Sequence, residues 1–184
     1  ESKLGIPALK AKVAASGDEA LAKILAWSLE VDVRIKDMVF GVPPFPGVRE
    51  SLAQLQGKAD MIVVSQTPVE ALTREWEEHH IDHYVDFIAG QEAGTKTEHL
   101  TLAAKGKYPA EKILMIGDAP GDFKAAKGNA ALFFPVIPGE EEKSWERFHQ
   151  EAIGKFFAGT FAGASQQELL AEFDRALPEH PSWS

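Results

Sequence analysis

The feature that most constrains the fold is a regular alternation of short apolar runs and helical segments after residue 47. The runs are rich in β-branched and aromatic residues and predict strands, while the segments between them have apolar positions at helical spacing. Such an alternation favours an α/β domain with a parallel sheet between helices. The predicted elements are helix 48–56, strand 61–65, helix 69–79, strand 87–89, helix 97–104, strand 112–117, helix 121–127 and strand 131–134.

Proline and glycine mark the clearest domain boundary. Residues 42–47 (VPPFPG) form a rigid, extended segment that separates the alternating region from a helical pattern before it. Residues 10–15 and 18–36 predict two helices, with Ser16 or Asp18 as the N-cap of the second. We therefore predict one domain over residues 1–42 and an α/β domain over residues 43–184 that ends in C-terminal helices.

Two acidic residues follow the third predicted strand. Asp118 follows residues 112–117 directly, and Asp122 comes four positions later. Mg²⁺ takes oxygen ligands and usually only one or two carboxylates from the protein, so this spacing indicates a metal site. The alternative is ordinary turn chemistry, in which Asp118 only caps the helix that follows.

Polar groups also follow the first predicted strand. Ser65, Gln66 and Thr67 lie between an apolar run and a helical stretch that opens with Pro68. A hydroxyl and free N–H groups at a strand-to-helix junction suit a phosphate oxygen. The alternative is that Ser65 or Thr67 serves only as the N-cap of the helix.

Lys96 stands at the start of a helix predicted to begin near Thr97, after a loop that contains Gly90 and Gly94. A lysine at this position is unfavourable because of the helix dipole, so an anionic group nearby would compensate it. The alternative is a lysine that is simply solvated at the surface.

In order and spacing, these three features resemble motifs two, three and four of the haloacid dehalogenase-like (HAD) superfamily. Ser65 corresponds to the strand-end hydroxyl, Lys96 to the lysine, and Asp118 with Asp122 to the acidic Gly-Asp-x-x-x-Asp motif. The resemblance covers residues 46–138. It implies a Rossmann-like core with a parallel sheet, and it makes residues 1–42 part of a helical cap.

The resemblance also implies the chemistry. In the family an aspartate nucleophile forms an aspartyl-phosphate, and Mg²⁺ would be bound by Asp118 and Asp122. Ser65 and Gln66 would bind phosphoryl oxygens, and Lys96 would offset the negative charge of the substrate and the nucleophile. The expected function is a Mg²⁺-dependent phosphohydrolase acting on a phosphorylated small molecule, with Ser65, Lys96 and Asp118 as catalytic residues.

The first motif of the family is absent from the sequence. Its nucleophile belongs to an Asp-x-Asp pair after the first core strand, and no such pair follows an apolar strand before Pro46. Asp32 lacks the second acid and lies in a predicted helix, so we do not assign it as the nucleophile. We expect the nucleophile in a segment upstream of Glu1, and we expect this chain alone to be inactive.

Two arrangements of the sheet follow from this gap, because in the family the nucleophile strand lies between the strands that end at Ser65 and Gly117. Either a further strand lies between them, from upstream sequence or from another chain, or the two strands close directly on each other. Unpaired N–H and C=O groups are not tolerated in the middle of a parallel sheet. Direct closure would favour a non-catalytic HAD-like binding module; a phosphomutase is the other alternative.

Composition is that of a globular enzyme domain, with 45% hydrophobic and 26% charged residues. The net charge of −9 and the absence of a Lys/Arg stripe argue against a nucleic-acid partner. No apolar run approaches the ~18–20 residues of a membrane span, and no cysteine is present for disulfide or thiolate chemistry. We expect a cytoplasmic protein whose partner is a small phosphorylated substrate.

The remaining histidines and aromatic residues predict structure and not chemistry. His79, His80 and His83 lie at a helix end, where imidazoles interact favourably with the dipole. His99 is expected on the surface or one face of a helix and not as a base. Beyond Pro138, apolar side chains at helical spacing predict two buried helices; they are Ile153, Phe156, Phe157, Phe161, Leu169, Leu170 and Phe173.

Overall fold

The computed structural model describes residues 5–104 and 106–178 and divides the chain into two compact units. The first unit is Glu1–Val42 and the second is Pro43–Ser184. The division falls in the proline-rich segment of residues 42–47, where proline prevents a helix from continuing. The strands of the described chain all belong to the second unit.

The first unit contains two helices that pack against each other, α1 (Ile6–Ser16) and α2 (Glu19–Met38). Gly17 ends α1 in the left-handed conformation, with φ of 62°. Asp18 then caps α2, since its carboxylate accepts hydrogen bonds from the N–H groups of Ala20 at 2.8 Å and Leu21 at 3.2 Å. A glycine C-cap followed at once by an aspartate N-cap produces this tight helical hairpin.

The second unit alternates helices and strands before it ends in helices. Pro135 ends the last strand, and a π-helical turn, Phe148–Ala152, joins two of the C-terminal helices. The elements are α3 (Val48–Leu55), β1 (Ile62–Val64), α4 (Val69–Glu78), β2 (Phe87–Ala89), α5 (Lys96–Ala104), β3 (Leu114–Gly117), α6 (Pro120–Gly128), β4 (Leu132–Pro135), α7 (Glu141–Arg147), α8 (Ile153–Phe157) and α9 (Ala164–Ala176).

The strands form two separate parallel pairs. In the first pair, Val63 of β1 lies beside Ile88 of β2. In the second pair, Met115 of β3 lies beside Phe133 of β4. Among the described residues no ladder joins β1 to β3. The second unit is therefore a mixed α/β fold with short parallel pairs instead of the single continuous sheet that the sequence predicted.

Direct closure of β1 on β3, one of the two arrangements expected for the sheet, does not occur within residues 5–104 and 106–178. No strand lies between β1 and β3, and the two strands do not pair directly. Helix α5 contacts β1, and its Leu100 shares a core with Met115 of β3. This core keeps the two pairs in one domain without bringing their edges into hydrogen-bonding contact.

Two apolar clusters cover opposite faces of the β3–β4 pair. Phe133 belongs to one cluster and Phe134 to the other, because successive side chains of a strand point to opposite faces. The first cluster is completed by Leu100, Ala104, Ile113, Met115, Ala125, Ala126 and Phe173, and the second by Phe148, Ala152, Ile153, Phe161 and Leu169.

The C-terminal helices supply most of the second cluster. Phe161 is fully buried and Phe173 is 2% exposed, as the helical spacing predicted. Phe157 was expected to be buried as well, and this expectation was wrong, since 41% of its surface is exposed.

No helix in the described part of the chain is long and apolar enough to cross a membrane.

Candidate active site

The turn after β1 holds Ser65 in a fixed conformation. The Ser65 N–H donates to the carbonyl of Ala89 at 3.0 Å, which continues the ladder with β2. The Ser65 Oγ accepts the Thr67 N–H at 3.1 Å, so its own hydroxyl proton is available for another acceptor. The Gln66 N–H has no partner among the described residues. This turn therefore offers two adjacent donors to an anion.

Neither Ser65 nor Thr67 is the N-cap of the following helix. Helix α4 begins at Val69 after Pro68, which has no side-chain cap. The Val69 N–H is instead bound by Glu92 Oε2 at 3.0 Å, from the loop after β2. The N-cap alternative was wrong, because the cap comes from a residue distant in sequence that local reasoning cannot identify.

The loops after β1 and β2 are in close contact. The Gln66 side-chain amide donates to the carbonyl of Gly94 at 3.1 Å. A Cβ at Gly90 would lie 2.5 Å from the Val69 nitrogen, so only glycine fits there. These contacts bring the turn that carries Ser65 next to the loop that leads into Lys96.

Thr95 determines where α5 begins. Its Oγ1 accepts the Glu98 N–H at 3.3 Å, and the Glu98 carboxylate accepts the Thr95 N–H at 2.7 Å. This reciprocal pair is a capping box. The helix consequently begins at Lys96, one residue before the predicted start, and Lys96 occupies its first turn.

We expect Thr95→Ala to lower the free energy of unfolding by about 1 kcal/mol, since it removes the N-cap acceptor. Urea denaturation monitored by circular dichroism measures the change. Thr95→Ser keeps the acceptor and is the matched control, expected to be within ~0.5 kcal/mol of the unsubstituted protein. Equal stabilities of the alanine and serine variants would contradict the capping role.

Lys96 forms an ion pair with Asp122, through Nζ and Oδ1. The lysine side chain is 27% exposed, whereas the aspartate is 2% exposed. The other carboxylate oxygen of Asp122 accepts the Ala119 N–H at 3.2 Å. Asp122 is thus the anionic group that offsets Lys96 at the start of α5, and both of its oxygens are engaged.

Gly117 is required by the position of Asp122. A Cβ at residue 117 would lie 2.5 Å from the Cβ of Asp122. Real Cβ contacts are never this short, so any larger residue displaces the buried carboxylate or the end of β3. The glycine before Asp118 therefore serves the packing of the second acid.

We expect Gly117→Ala to lower the free energy of unfolding by about 1–3 kcal/mol, the range for overpacking a well-packed site. Thermal denaturation followed by circular dichroism gives the change. Gly121→Ala is the control, because nothing lies within 4 Å of a Cβ built there. Equal losses in the two variants would show that the close approach of Asp122 is not responsible.

Asp118 lies at the exposed end of β3. Its carboxylate makes no hydrogen bond or ion pair within the described residues, so its oxygens are available to a ligand. Helix α6 begins at Pro120, and its N-cap is Ala119. The alternative in which Asp118 only caps this helix was therefore wrong.

His79 and His80 lie at the end of α4, whereas His99 lies in α5. The carbonyls of His79 and His80 accept hydrogen bonds from Arg49 at 2.5 and 3.1 Å, which is a structural role at the end of α4. No group of three metal-ligating side chains occurs in the described parts of the chain. His99 is buried, with 5% exposure, and neither ring nitrogen has a partner there.

The surface alternative for His99 was wrong. The signal that would have found its burial is the helical spacing of α5, where Leu100 and Ala104 face the core and His99 is beside them.

A family model of haloacid dehalogenase-like hydrolases matches residues 12–134. The chain belongs to this family. The match confirms the resemblance to the HAD superfamily, and it extends from within α1 to within β4. Comparisons with curated proteins and with solved structures gave no match.

Proposed function

We propose that this HAD-like hydrolase domain is part of a Mg²⁺-dependent phosphohydrolase that acts on a phosphorylated small molecule. One observation carries the proposal: anion donors and an unengaged carboxylate follow parallel strands of one domain. Ser65 follows β1 and Asp118 follows β3. Ligands of open α/β folds bind beyond the carboxyl ends of the strands.

Ser65 and Gln66 supply donors to a phosphoryl oxygen. The Ser65 hydroxyl is held by its bond from Thr67, and the Gln66 N–H beside it is free among the described residues. Donors that are already oriented need little reorganisation when an anion binds, which makes them effective at stabilising developing charge. The Gln66 side chain fixes this turn against Gly94.

Lys96 supplies positive charge near the same loops. Its side chain is 27% exposed and its ammonium is paired with Asp122, so an ammonium with three donors has further donors for another anion. In this position it orients a phosphoryl group and offsets its negative charge. Because Asp122 fixes the lysine, the pair is a preorganised electrostatic unit.

The residues that are present fit a hard divalent cation best at Asp118, because Asp122 is 2% exposed and already paired with Lys96. The oxygens of Asp118 have no partner among the described residues, while the two oxygens of Asp122 accept from Lys96 and from the Ala119 N–H. Mg²⁺ usually keeps several waters and needs only one or two carboxylates together with substrate phosphate. Asp118 would hold the ion, which when bound neutralises charge on the transferring group.

The nucleophile of this proposal is an aspartate on a strand other than the four described here. The competing function is a non-catalytic HAD-like binding module, since no Asp-x-Asp pair follows an apolar strand before Pro46. A phosphomutase would use the same site and differ only in the final phosphate acceptor.

A phosphatase screen of the intact native protein, with and without Mg²⁺, tests the proposal. We expect phosphate release that depends on Mg²⁺, together with an intact mass that includes an Asp-x-Asp segment beyond the sequence described here. No release from any phosphorylated small molecule, with a mass equal to this chain, would establish the binding module. Transfer of phosphate to a second substrate instead of water would establish the mutase.

A further inference from the structure

The loop after β2 is hydrogen-bonded to the segment that leads from β1 into α4. We name residues 90–94 the clamp loop, and the segment that it binds is residues 65–69. Three hydrogen bonds join them: Gln66 Nε2 donates to the Gly94 carbonyl at 3.1 Å, the Gln91 N–H donates to the Thr67 carbonyl at 3.1 Å, and the Val69 N–H donates to Glu92 Oε2 at 3.0 Å. The clamp loop therefore contacts the segment 65–69 at successive positions along its length.

The clamp loop is also fixed at both of its ends. Before it, the carbonyl of Ala89 accepts the Ser65 N–H at 3.0 Å. After it, Thr95 and Glu98 form the capping box that sets the start of α5 at Lys96. The clamp loop thus connects the turn with the Ser65 and Gln66 donors directly to the helix that begins with Lys96.

Glu92 makes the one contact of the three that uses a charged group. Its carboxylate accepts an N–H at the N-terminus of α4, a helix of ten residues whose first residue is Val69. The positive end of the helix dipole favours a carboxylate there, and hydrogen bonds to ionised acceptors are stronger than neutral ones. Glu92 is exposed, so its truncation opens no cavity in the core.

A displacement of Val69 reaches Ser65 through Thr67. The Thr67 N–H donates to Ser65 Oγ at 3.1 Å, and its carbonyl is held by the clamp loop. A Cβ built at Gly90 would lie 2.5 Å from the Val69 nitrogen and 2.8 Å from the Thr67 carbonyl oxygen. The two backbones are therefore in direct contact, and the contact of Glu92 bears on the orientation of the Ser65 hydroxyl.

We propose that the clamp loop holds the Ser65 and Gln66 donors in a fixed relation to Lys96, with Glu92 as the positioning residue. Glu92 acts through Val69 and touches neither the phosphoryl group nor the metal. The inference rests on the proposed phosphohydrolase function, which assigns these donors to a phosphoryl oxygen. A donor displaced by about 1 Å can cost up to 10²-fold in rate, so a residue outside the site matters for turnover.

Steady-state kinetics of the intact native protein with p-nitrophenyl phosphate and Mg²⁺ test the proposal. We expect Glu92→Ala to lower kcat about tenfold and to change KM less than about threefold, because oriented donors contribute most in the transition state. Glu92→Gln keeps a side-chain oxygen for the Val69 N–H. It should therefore retain at least about a third of kcat.

Amide hydrogen exchange followed by NMR gives a readout that does not depend on activity. In Glu92→Ala the Thr67 N–H should exchange about fivefold faster or more, because its bond to Ser65 Oγ opens more often. In Glu92→Gln the exchange rate should stay within about twofold of the unsubstituted protein. Faster exchange confined to Val69, with Thr67 exchange and kcat unchanged, would overturn the proposal, because Glu92 would then only cap α4.

The matched control is Glu141→Ala at the start of α7. Glu141 Oε1 accepts the Gly139 N–H at 2.9 Å, so the same kind of carboxylate bond is lost far from the clamp loop in sequence. We expect both alanine variants to lower the Tm by about 2–4 °C. At 25 °C, Glu141→Ala should leave kcat, KM and Thr67 exchange unchanged.

Two further results would count against the positioning role. Equal losses of kcat in Glu92→Ala and Glu141→Ala would assign the loss to stability and overturn it. No phosphate release by the unsubstituted protein would remove the phosphohydrolase function, and the positioning role with it. An active protein with unchanged kcat in Glu92→Ala would overturn the positioning role alone.

Discussion

Replacing Lys96 by methionine is expected to lower the free energy of unfolding by about 3 kcal/mol. The substitution leaves Asp122, which is 2% exposed, without its partner cation. Breaking a buried ion pair costs about 3–5 kcal/mol, and we expect the lower end because the lysine side chain is still 27% exposed. Urea denaturation followed by circular dichroism and tryptophan fluorescence measures the loss.

The double variant Lys96→Met with Asp122→Asn separates the lost pair from the lost side chain. Asparagine keeps an oxygen for the Ala119 N–H but has no charge to bury. We expect it to recover at least half of the loss. Lys143→Met is the surface control, since its pair with Glu140 is exposed, and it should change stability by less than ~0.5 kcal/mol. Equal losses from Lys96→Met and Lys143→Met would contradict the role of the buried carboxylate.

Local patterns were enough to predict the elements around the site. The β-branched run before Ser65 and the apolar run before Asp118 form β1 and β3, because strand formation there depends on neighbours in sequence. Asp18 also depends only on neighbours in sequence, because it caps α2 by accepting from the N–H groups of Ala20 and Leu21. The sequence also indicated that Lys96 needs an anionic neighbour, from the helix dipole alone.

Contacts between distant residues could not be predicted in this way. The partner of Lys96 is 26 positions away, and the cap of α4 comes from Glu92, 23 positions away. Both side chains look like ordinary surface acids in the sequence. The structure therefore changes the expected effect of substituting Lys96, because a residue interpreted as catalytic also compensates a buried charge.

The arrangement of the sheet was predicted least well, for a related reason. The alternation of helices and strands fixes connection lengths and favours parallel pairing, but each strand is only three or four residues long. In the described chain β1 and β3 do not pair, although α5 contacts β1 and its Leu100 shares a core with Met115 of β3. Periodicity does not contain this information.

Asp118→Asn is expected to lower Mg²⁺-dependent phosphate release by the intact native protein at least ~10²-fold. The substitution removes a formal charge from a carboxylate whose oxygens have no other partner in the described chain. Steady-state phosphate release at saturating Mg²⁺ is the measurement. Turnover close to that of the unsubstituted protein would contradict the assignment of Asp118 to the metal.

The stability of Asp118→Asn shows whether the lost phosphate release comes from the missing metal ligand or from unfolding. Asp118 is exposed and makes no side-chain hydrogen bond within the described residues, so Asp118→Asn should change the free energy of unfolding by less than ~0.5 kcal/mol. Asp122→Asn is the opposite case, since it weakens a buried ion pair and should lower stability as well as turnover. A large loss of stability in Asp118→Asn would assign this acid to folding, because a residue that only holds a ligand is not needed to stabilise the free domain.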